Sequence, residues 1–146
     1  MKKLFFLVVA LLGFQLASAQ AWTGKGDQKL QIGFNGWGNG TGITGTYDYG
    51  VGGIVSLGAG ANIYFSDYKD NNKDNNFFVF GRVNFHLRDV LNMPKEMDLY
   101  PGLDVGVLGD TFGLGAHLGF RYFFSPNVGA FIEAGNNGSI GLSFNF

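Results

Sequence analysis

Seven ionisable side chains occupy the polar face of alternating segments in the sequence: Asp48, Arg82, His86, Asp104, His117, Arg121 and Glu133. Carboxylates and histidines can transfer protons, and arginines can stabilise developing negative charge. Nucleophilic catalysis also needs a serine, threonine or cysteine beside such a base. Neither histidine has a Ser or Asp partner at a recognisable spacing, and the chain has no cysteine. The sequence therefore predicts no catalytic residues.

A second candidate is the polar stretch 66–76, whose acidic and aromatic members are Asp67, Tyr68, Asp70 and Asp74. Asp70, Asn72 and Asp74 carry side-chain oxygens at every second position, which is the spacing of the first ligands in a calcium loop. However, Asn75 replaces the usual glycine, and Gly81 stands where the bidentate glutamate belongs. We therefore expect a solvated outer loop without a metal, in which Tyr68 could contact a surface partner. We predict no cofactor.

The elements that must position these residues are eight segments of period-two hydrophobicity. Apolar side chains alternate with small or polar ones, which is the pattern of a strand with one apolar face. The fifth segment is the weakest, and we place Pro101 at its start because proline has no N–H to donate. The predicted strands are 30–35, 43–49, 55–65, 77–87, 103–107, 112–122, 128–134 and 139–146.

Turn residues between the segments predict how the strands pair. Turns centred on Asn39–Gly40 and on Gly109–Asp110 join apolar faces, as does a three-residue loop from Asn136 to Gly138. A slip by one residue would turn a whole strand over, so matching faces test the pairing. The predicted cross-strand pairs are Ile32 with Tyr47, Phe34 with Gly45, Val107 with Phe112, Val105 with Leu114, Ile132 with Leu142 and Ala130 with Phe144.

An even number of short alternating strands is typical of bacterial transmembrane barrels. We therefore predict an all-β fold, an eight-stranded antiparallel up-and-down transmembrane β-barrel closed by pairing segment 139–146 with segment 30–34. A soluble sandwich is the alternative, but it gives no reason for aromatic residues at both ends of the apolar face. Those aromatics form two predicted girdles: Tyr49, Phe85, Tyr122 and Phe146 at one rim, and Phe34, Phe65, Phe77 and Phe112 at the other.

Closure places the seven ionisable residues inside the barrel. Glu133 and Arg121 lie on sequential strands, and Arg82 can join them in an ion-pair network. Eight strands leave barely enough interior for side chains. We therefore expect a mostly plugged polar interior, with a narrow ion path as the alternative.

The N terminus carries an export signal. Lys2 and Lys3 precede an apolar run from Leu4 to Leu12, and 17–19 has the small-x-small form of a cleavage site. We predict a signal peptide over 1–19 and one barrel domain over 20–146. Without cysteine, the chain cannot form a disulfide or carry a lipid on a cysteine.

The last eight residues resemble the C-terminal targeting signal of bacterial outer-membrane barrels. Ser139 is followed by Gly141, and Phe144 and Phe146 bracket one residue at the terminus. With its eight segments, the chain resembles the small outer-membrane barrels of Gram-negative bacteria, of the OmpX and OmpA-barrel type. The resemblance implies a monomer in the bacterial outer membrane that is inserted by the barrel-assembly machinery. It also implies contact with membrane lipid and lipopolysaccharide.

Composition narrows the function further. A net charge of −1 and the lack of a basic patch argue against nucleic acid as a partner. The 16 Phe and 25 Gly suit a barrel that faces lipid and is tightly packed within. We expect a structural or surface-interaction role without enzymatic activity. A small pore or transporter for ions or apolar solutes is the alternative, and an envelope enzyme ranks last.

Overall fold

The computed structural model describes residues 2–4, 20–37, 41–65, 77–108, 111–135 and 138–146. Most of the predicted signal peptide lies outside the described residues, as do the surface-loop residues Asp67, Tyr68, Asp70 and Asp74. The predicted turn residues 39–40, 109–110 and 136–137 also lie outside them. No helix in the described ranges is both long and apolar enough to cross a membrane.

Eight antiparallel strands follow each other around a closed barrel in sequence order. The predicted closure is confirmed, because Leu30 pairs with Phe144 and Ile32 with Leu142. The all-β up-and-down fold is therefore as predicted. The strands are β1 (Gln28–Trp37), β2 (Gly42–Gly50), β3 (Val55–Tyr64), β4 (Phe77–Phe85), β5 (Met97–Leu108), β6 (Thr111–Phe123), β7 (Val128–Gly135) and β8 (Gly138–Asn145).

Alternation along each strand separates an apolar outer surface from a polar interior. On β4, for example, Val79 is 47% exposed, whereas Arg82 is 5% exposed. The aromatic residues expected in the two girdles all point outward, at the two ends of the outer surface. Such an inverted distribution, apolar outside and polar inside, is that of a barrel surrounded by lipid.

The strand register agrees with prediction at one hairpin and differs at two. Val105 faces Leu114 and Val107 faces Phe112, as expected. In contrast, Ile32 pairs with Gly45 rather than Tyr47. The predicted pairs of β7 with β8 are likewise wrong: Ile132 faces Ile140, and Ala130 faces Leu142. A shift by two residues leaves every side chain on its own face, so alternation alone cannot detect it.

Strand β5 begins earlier than predicted. It starts at Met97, and Pro101 lies within it, paired with Leu118 of β6. The pairing of β4 with β5 extends only to Asn84 opposite Gly102, so Pro101 lies just beyond that ladder. Pairing with β6, which runs from Met97 opposite Tyr122, holds this part of β5 on its other side. The longer strand brings Asp98 and Tyr100 onto the inward face.

The two ends of the barrel differ in what lies across them. We call one the termini end, because it holds segment 20–27, Phe146 and the turns 51–54, 86–96 and 124–127. The opposite end is the loop end, where β1 connects to β2, β3 to β4, β5 to β6 and β7 to β8.

Candidate functional site

The barrel brings all seven sequence-predicted ionisable residues into its interior. Asp48, Arg82, His86, His117, Arg121 and Glu133 are buried, and Asp104 is partly exposed. They come from five strands (β2, β4, β5, β6 and β7), with His86 directly after β4, and each lies on the inward parity of its strand.

Four charges form the centre of the interior. Arg82 donates from Nε to Asp48 Oδ1 at 2.8 Å, and from Nη1 to both carboxylate oxygens of Glu133 at 3.0 Å. Arg121 donates from Nη2 to Asp48 Oδ2 at 3.2 Å. Two guanidinium groups thus face two carboxylates, which balances the buried charge.

Tyr100 and Gln31 link Arg121 to Glu133, which sequence analysis placed in one network. The Tyr100 hydroxyl donates to Glu133 Oε2 at 2.7 Å, and the Arg121 guanidinium lies 4.0 Å from the centre of the Tyr100 ring. Gln31 accepts from Arg121 Nε at 2.5 Å and donates to Glu133 Oε2 at 3.0 Å. These neutral side chains fill the space between the charges and fix their orientation.

His86 has the partners that its sequence spacing did not reveal. Its Nε2 lies 2.7 Å from Ser56 Oγ, and its Nδ1 lies 2.5 Å from Asp98 Oδ2. This is the connectivity of a Ser-His-Asp triad. His86 follows the last residue of β4, and burial lowers its pKa, although the hydrogen bond to Asp98 acts in the opposite direction.

The triad-like arrangement is closed to substrate in this structure. Ser56 and Asp98 are fully buried, and the Trp22 ring stacks on His86 with centroids 3.6 Å apart and planes 5° apart. A serine nucleophile acts only where the carbonyl of a substrate can approach it. Ser56, His86 and Asp98 therefore act as packed interior groups in this conformation.

His117 continues the hydrogen bonding toward the loop end. Its Nδ1 lies 2.8 Å from Asp104 Oδ2, and its Nε2 lies 2.7 Å from Asn84 Oδ1. Asn84 in turn donates to Ser56 Oγ at 3.5 Å. A continuous line of side chains thus connects Asp98 near the termini end to Asp104 near the loop end.

Segment 20–27 closes the termini end. Trp22 donates from its indole nitrogen to the Gly53 carbonyl at 2.8 Å, and Arg88 donates to the Trp22 carbonyl. The backbone N–H of Ala21 donates to the Lys95 carbonyl at 2.8 Å. Behind Trp22, buried Lys29 pairs with Asp27 at 2.5 Å. The segment is thus held to the turns 51–54 and 86–96 of this end.

The loop end keeps a small pocket of about 30 Å³. Ligand sites for drug-sized molecules are typically roughly tenfold larger or more. The pocket is lined by Asn35, Thr44, Asn62, Phe78, Phe80, Arg82, Asp104, Ala116, His117, Glu133 and Ser139. It admits a water molecule or one small chemical group.

Sequence reasoning missed several interior residues. Asp98 and Tyr100 share the parity of Asp104, but a strand that starts at Pro101 does not include them. Ser56 and Gln31 lie on the predicted polar face, but they are uncharged, so a search for ion pairs does not find them. Trp22 precedes the first alternating segment, and nothing in its local sequence indicates that it closes the barrel.

Within the described ranges, no group of three or more His, Cys, Asp or Glu residues is arranged to hold a metal ion.

The predicted targeting residues lie on or beside β8. Gly141 packs against Gly33 of β1, where a Cβ would meet the Ile32 backbone, and Phe146 is 75% exposed at the termini end.

Comparison with known proteins identifies a family. A family model described as "Family of unknown function (DUF6646)" matches residues 11–140. The chain belongs to this family. No curated protein matches it. Among solved structures, it is similar to a chain described as "De novo design of transmembrane beta-barrels", with 16% identity and a TM-score of 0.60. The match covers 85% of this chain and 98% of the designed one. This similarity shows a transmembrane β-barrel fold.

Proposed function

We propose that the protein is an integral barrel of the bacterial outer membrane with a plugged interior and a structural or surface-interaction role. The observation that carries this proposal is the central charge cluster. Arg82, Arg121, Asp48 and Glu133 fill the barrel cross-section with paired charges. An ion that crossed the barrel would have to part these buried pairs, which hold each other's charges out of water.

The outer surface supports a membrane location. It exposes large apolar side chains from every strand, including Leu57, Leu103, Leu114 and Ile140. In water such a surface would promote association, whereas lipid covers it. We therefore assign segment 1–19 as the export signal and β8 with Phe146 as the address read by the barrel-assembly machinery. The termini end then faces the periplasm, and the loop end faces outward toward lipopolysaccharide.

Fractionation and gel mobility test the location and the folded state. Full-length protein expressed in a Gram-negative host should lose 1–19, sediment with the outer membrane and migrate differently on a gel before and after boiling. Deletion of Phe146 should reduce the inserted fraction, because the chain then lacks its terminal aromatic. Lys25→Ala, at an exposed residue of the segment before β1, is the control and should leave the inserted fraction unchanged. Recovery in the soluble periplasm with unchanged gel migration would contradict the proposal.

We also propose that the protein has no enzymatic activity. Ser56 is the residue to probe, because it has the contacts of an activated serine. A fluorophosphonate probe should fail to label the folded protein in detergent. Stoichiometric labelling of the folded protein that is lost in Ser56→Ala would establish a hydrolase-type serine and overturn this part of the proposal.

A further inference from the structure

We propose that the mature chain begins at Gln20 and that this residue closes into a pyroglutamyl lactam. The inference rests on the proposed export signal, whose removal after residue 19 leaves Gln20 with a free α-amino group. In the closure, the amino nitrogen attacks the side-chain Cδ and a C–N bond forms. The amide nitrogen leaves with one amine proton as ammonia, so the step balances without an oxidant, a reductant or a co-reactant.

Gln20 is exposed, whereas the two residues that follow it are packed into the termini end. Ala21 is 0% exposed and Trp22 is 2% exposed. The backbone N–H of Ala21 donates to the Lys95 carbonyl at 2.8 Å, and Asn145 donates from Nδ2 to the Gln20 carbonyl at 3.0 Å. The chain is therefore anchored from the Gln20 carbonyl onward, while the residue that carries the reacting groups lies at the surface.

The lactam fits this arrangement without moving the chain. Its ring contains the amino nitrogen, Cα, Cβ, Cγ and Cδ of Gln20 and no atom of another residue. In a chain that begins at Gln20, the ring fixes only the torsion about N–Cα, which positions no other residue. The carbonyl that Asn145 binds and the N–H of Ala21 are unchanged. The amine and the amide belong to one side of one residue, so the attack has the proximity advantage of an intramolecular reaction.

The lactam would protect the segment that closes the barrel. Trp22, whose ring stacks on His86 with centroids 3.6 Å apart, is the third residue of a chain that begins at Gln20. An aminopeptidase requires a free α-amino group and removes residues one at a time from that end. The lactam has no such group, so trimming toward Trp22 cannot start.

Intact mass spectrometry of the mature protein, purified from outer membranes in detergent, tests the inference. The sample is kept at roughly pH 8, where about half of a typical α-amino group is unprotonated, until its mass is constant. The expected mass is that of residues 20–146 less one molecule of ammonia. Fragmentation of the N-terminal peptide should place the loss at Gln20 rather than at an Asn–Gly pair. Gln20→Ala is the matched control, because it keeps the backbone contacts but has no side-chain amide, and its mass should not change.

The same spectrum separates failure of the inference from failure of the proposed function. A constant mass equal to that of uncyclised residues 20–146 would overturn the lactam. A processed chain that begins at a residue other than Gln20 would also overturn it. The mass of the uncut chain would overturn the proposed export signal and, with it, this inference.

Aminopeptidase digestion tests what the lactam protects. After the incubation, the wild-type protein should keep its N terminus in the presence of a broad-specificity aminopeptidase, whereas Gln20→Ala should lose at least its first residue. Both proteins are folded in the same detergent, and mass is again the readout. Equal digestion or equal resistance of the two proteins would show that the lactam is not what protects segment 20–27.

Discussion

The two ends of the barrel interior differ in how their polar groups are covered. At the termini end, the chain itself covers them: Trp22 stacks on His86, and Lys29 is buried with Asp27. At the loop end, Asn35, Asn62 and Asp104 face a pocket instead of another segment of the described chain. The termini end is therefore part of the stabilising core, whereas the loop end keeps buried polar atoms without a hydrogen-bond partner in the described part of the chain.

Unpartnered polar atoms are not confined to the loop end, but their surroundings differ. Arg121 Nη1 makes no hydrogen bond. It nevertheless lies 3.8 Å from Asp98 Oδ2, and the opposite charge of this carboxylate stabilises it. At the loop end, the amides of Asn35 and Asn62 have no such charge beside their open atoms among the contacts of the described residues. Substitutions should therefore destabilise the protein strongly in the centre, less at the termini end and least at the loop-end amides.

The largest effect is expected for Arg82→Ala in the centre. Its removal leaves Asp48 and Glu133 without their shared partner. Loss of one member of a buried ion pair costs about 3–5 kcal/mol. The measurement is the urea midpoint in lipid vesicles, read as the folded band on an unboiled gel. Lys25→Ala, which removes an exposed cation, is the control and should not shift the midpoint.

Trp22→Ala should have the next largest effect. The substitution removes a fully buried ring at the termini end, but segment 20–27 can detach rather than leave a rigid cavity. The expected loss is therefore about 2–3 kcal/mol, the value for burial of one large apolar side chain. Val90→Ala, an exposed apolar residue at the same end, is the control in the same urea titration. Equal midpoints for the two variants would show that segment 20–27 does not stabilise the barrel.

Two glycines of β6 offer a smaller, matched comparison. A Cβ at Gly119 would overlap the Tyr100 ring, whereas a Cβ at Gly113 would meet nothing within 4 Å. Gly119→Ala should destabilise the barrel by about 1–3 kcal/mol through overpacking. Gly113→Ala should be neutral or slightly stabilising. Indistinguishable unfolding midpoints would mean that the centre is packed less tightly than the structure shows.

The smallest effect is expected for Asn35→Ala at the loop end. Asn35 is buried, but its Nδ2 has no partner in the described part of the chain. Removing an unsatisfied polar group is nearly neutral, within about 0.5 kcal/mol. The same urea titration measures this. A loss as large as that of Trp22→Ala would show that Asn35 belongs to the stabilising core.

The sequence was sufficient for the fold but only partly for the interior. Alternation predicted the inward positions of Arg82 and Glu133 because strand parity is a local property. It missed Tyr100, since β6 pairs with β5 on the N-terminal side of Pro101, and the local sequence does not reveal that pairing. It also missed Trp22, because that contact requires the closed barrel to bring segment 20–27 beneath His86. Shifts of two residues in β1–β2 and β7–β8 stayed invisible because both registers preserve the faces.

Single-channel recording in planar bilayers tests the central claim that paired charges plug the barrel. Purified protein whose insertion is verified by its gel shift should give no steady conductance in molar KCl, because Arg82 bridges Asp48 and Glu133 across the interior. Reproducible, long-lived open channels from the wild-type protein would contradict the account.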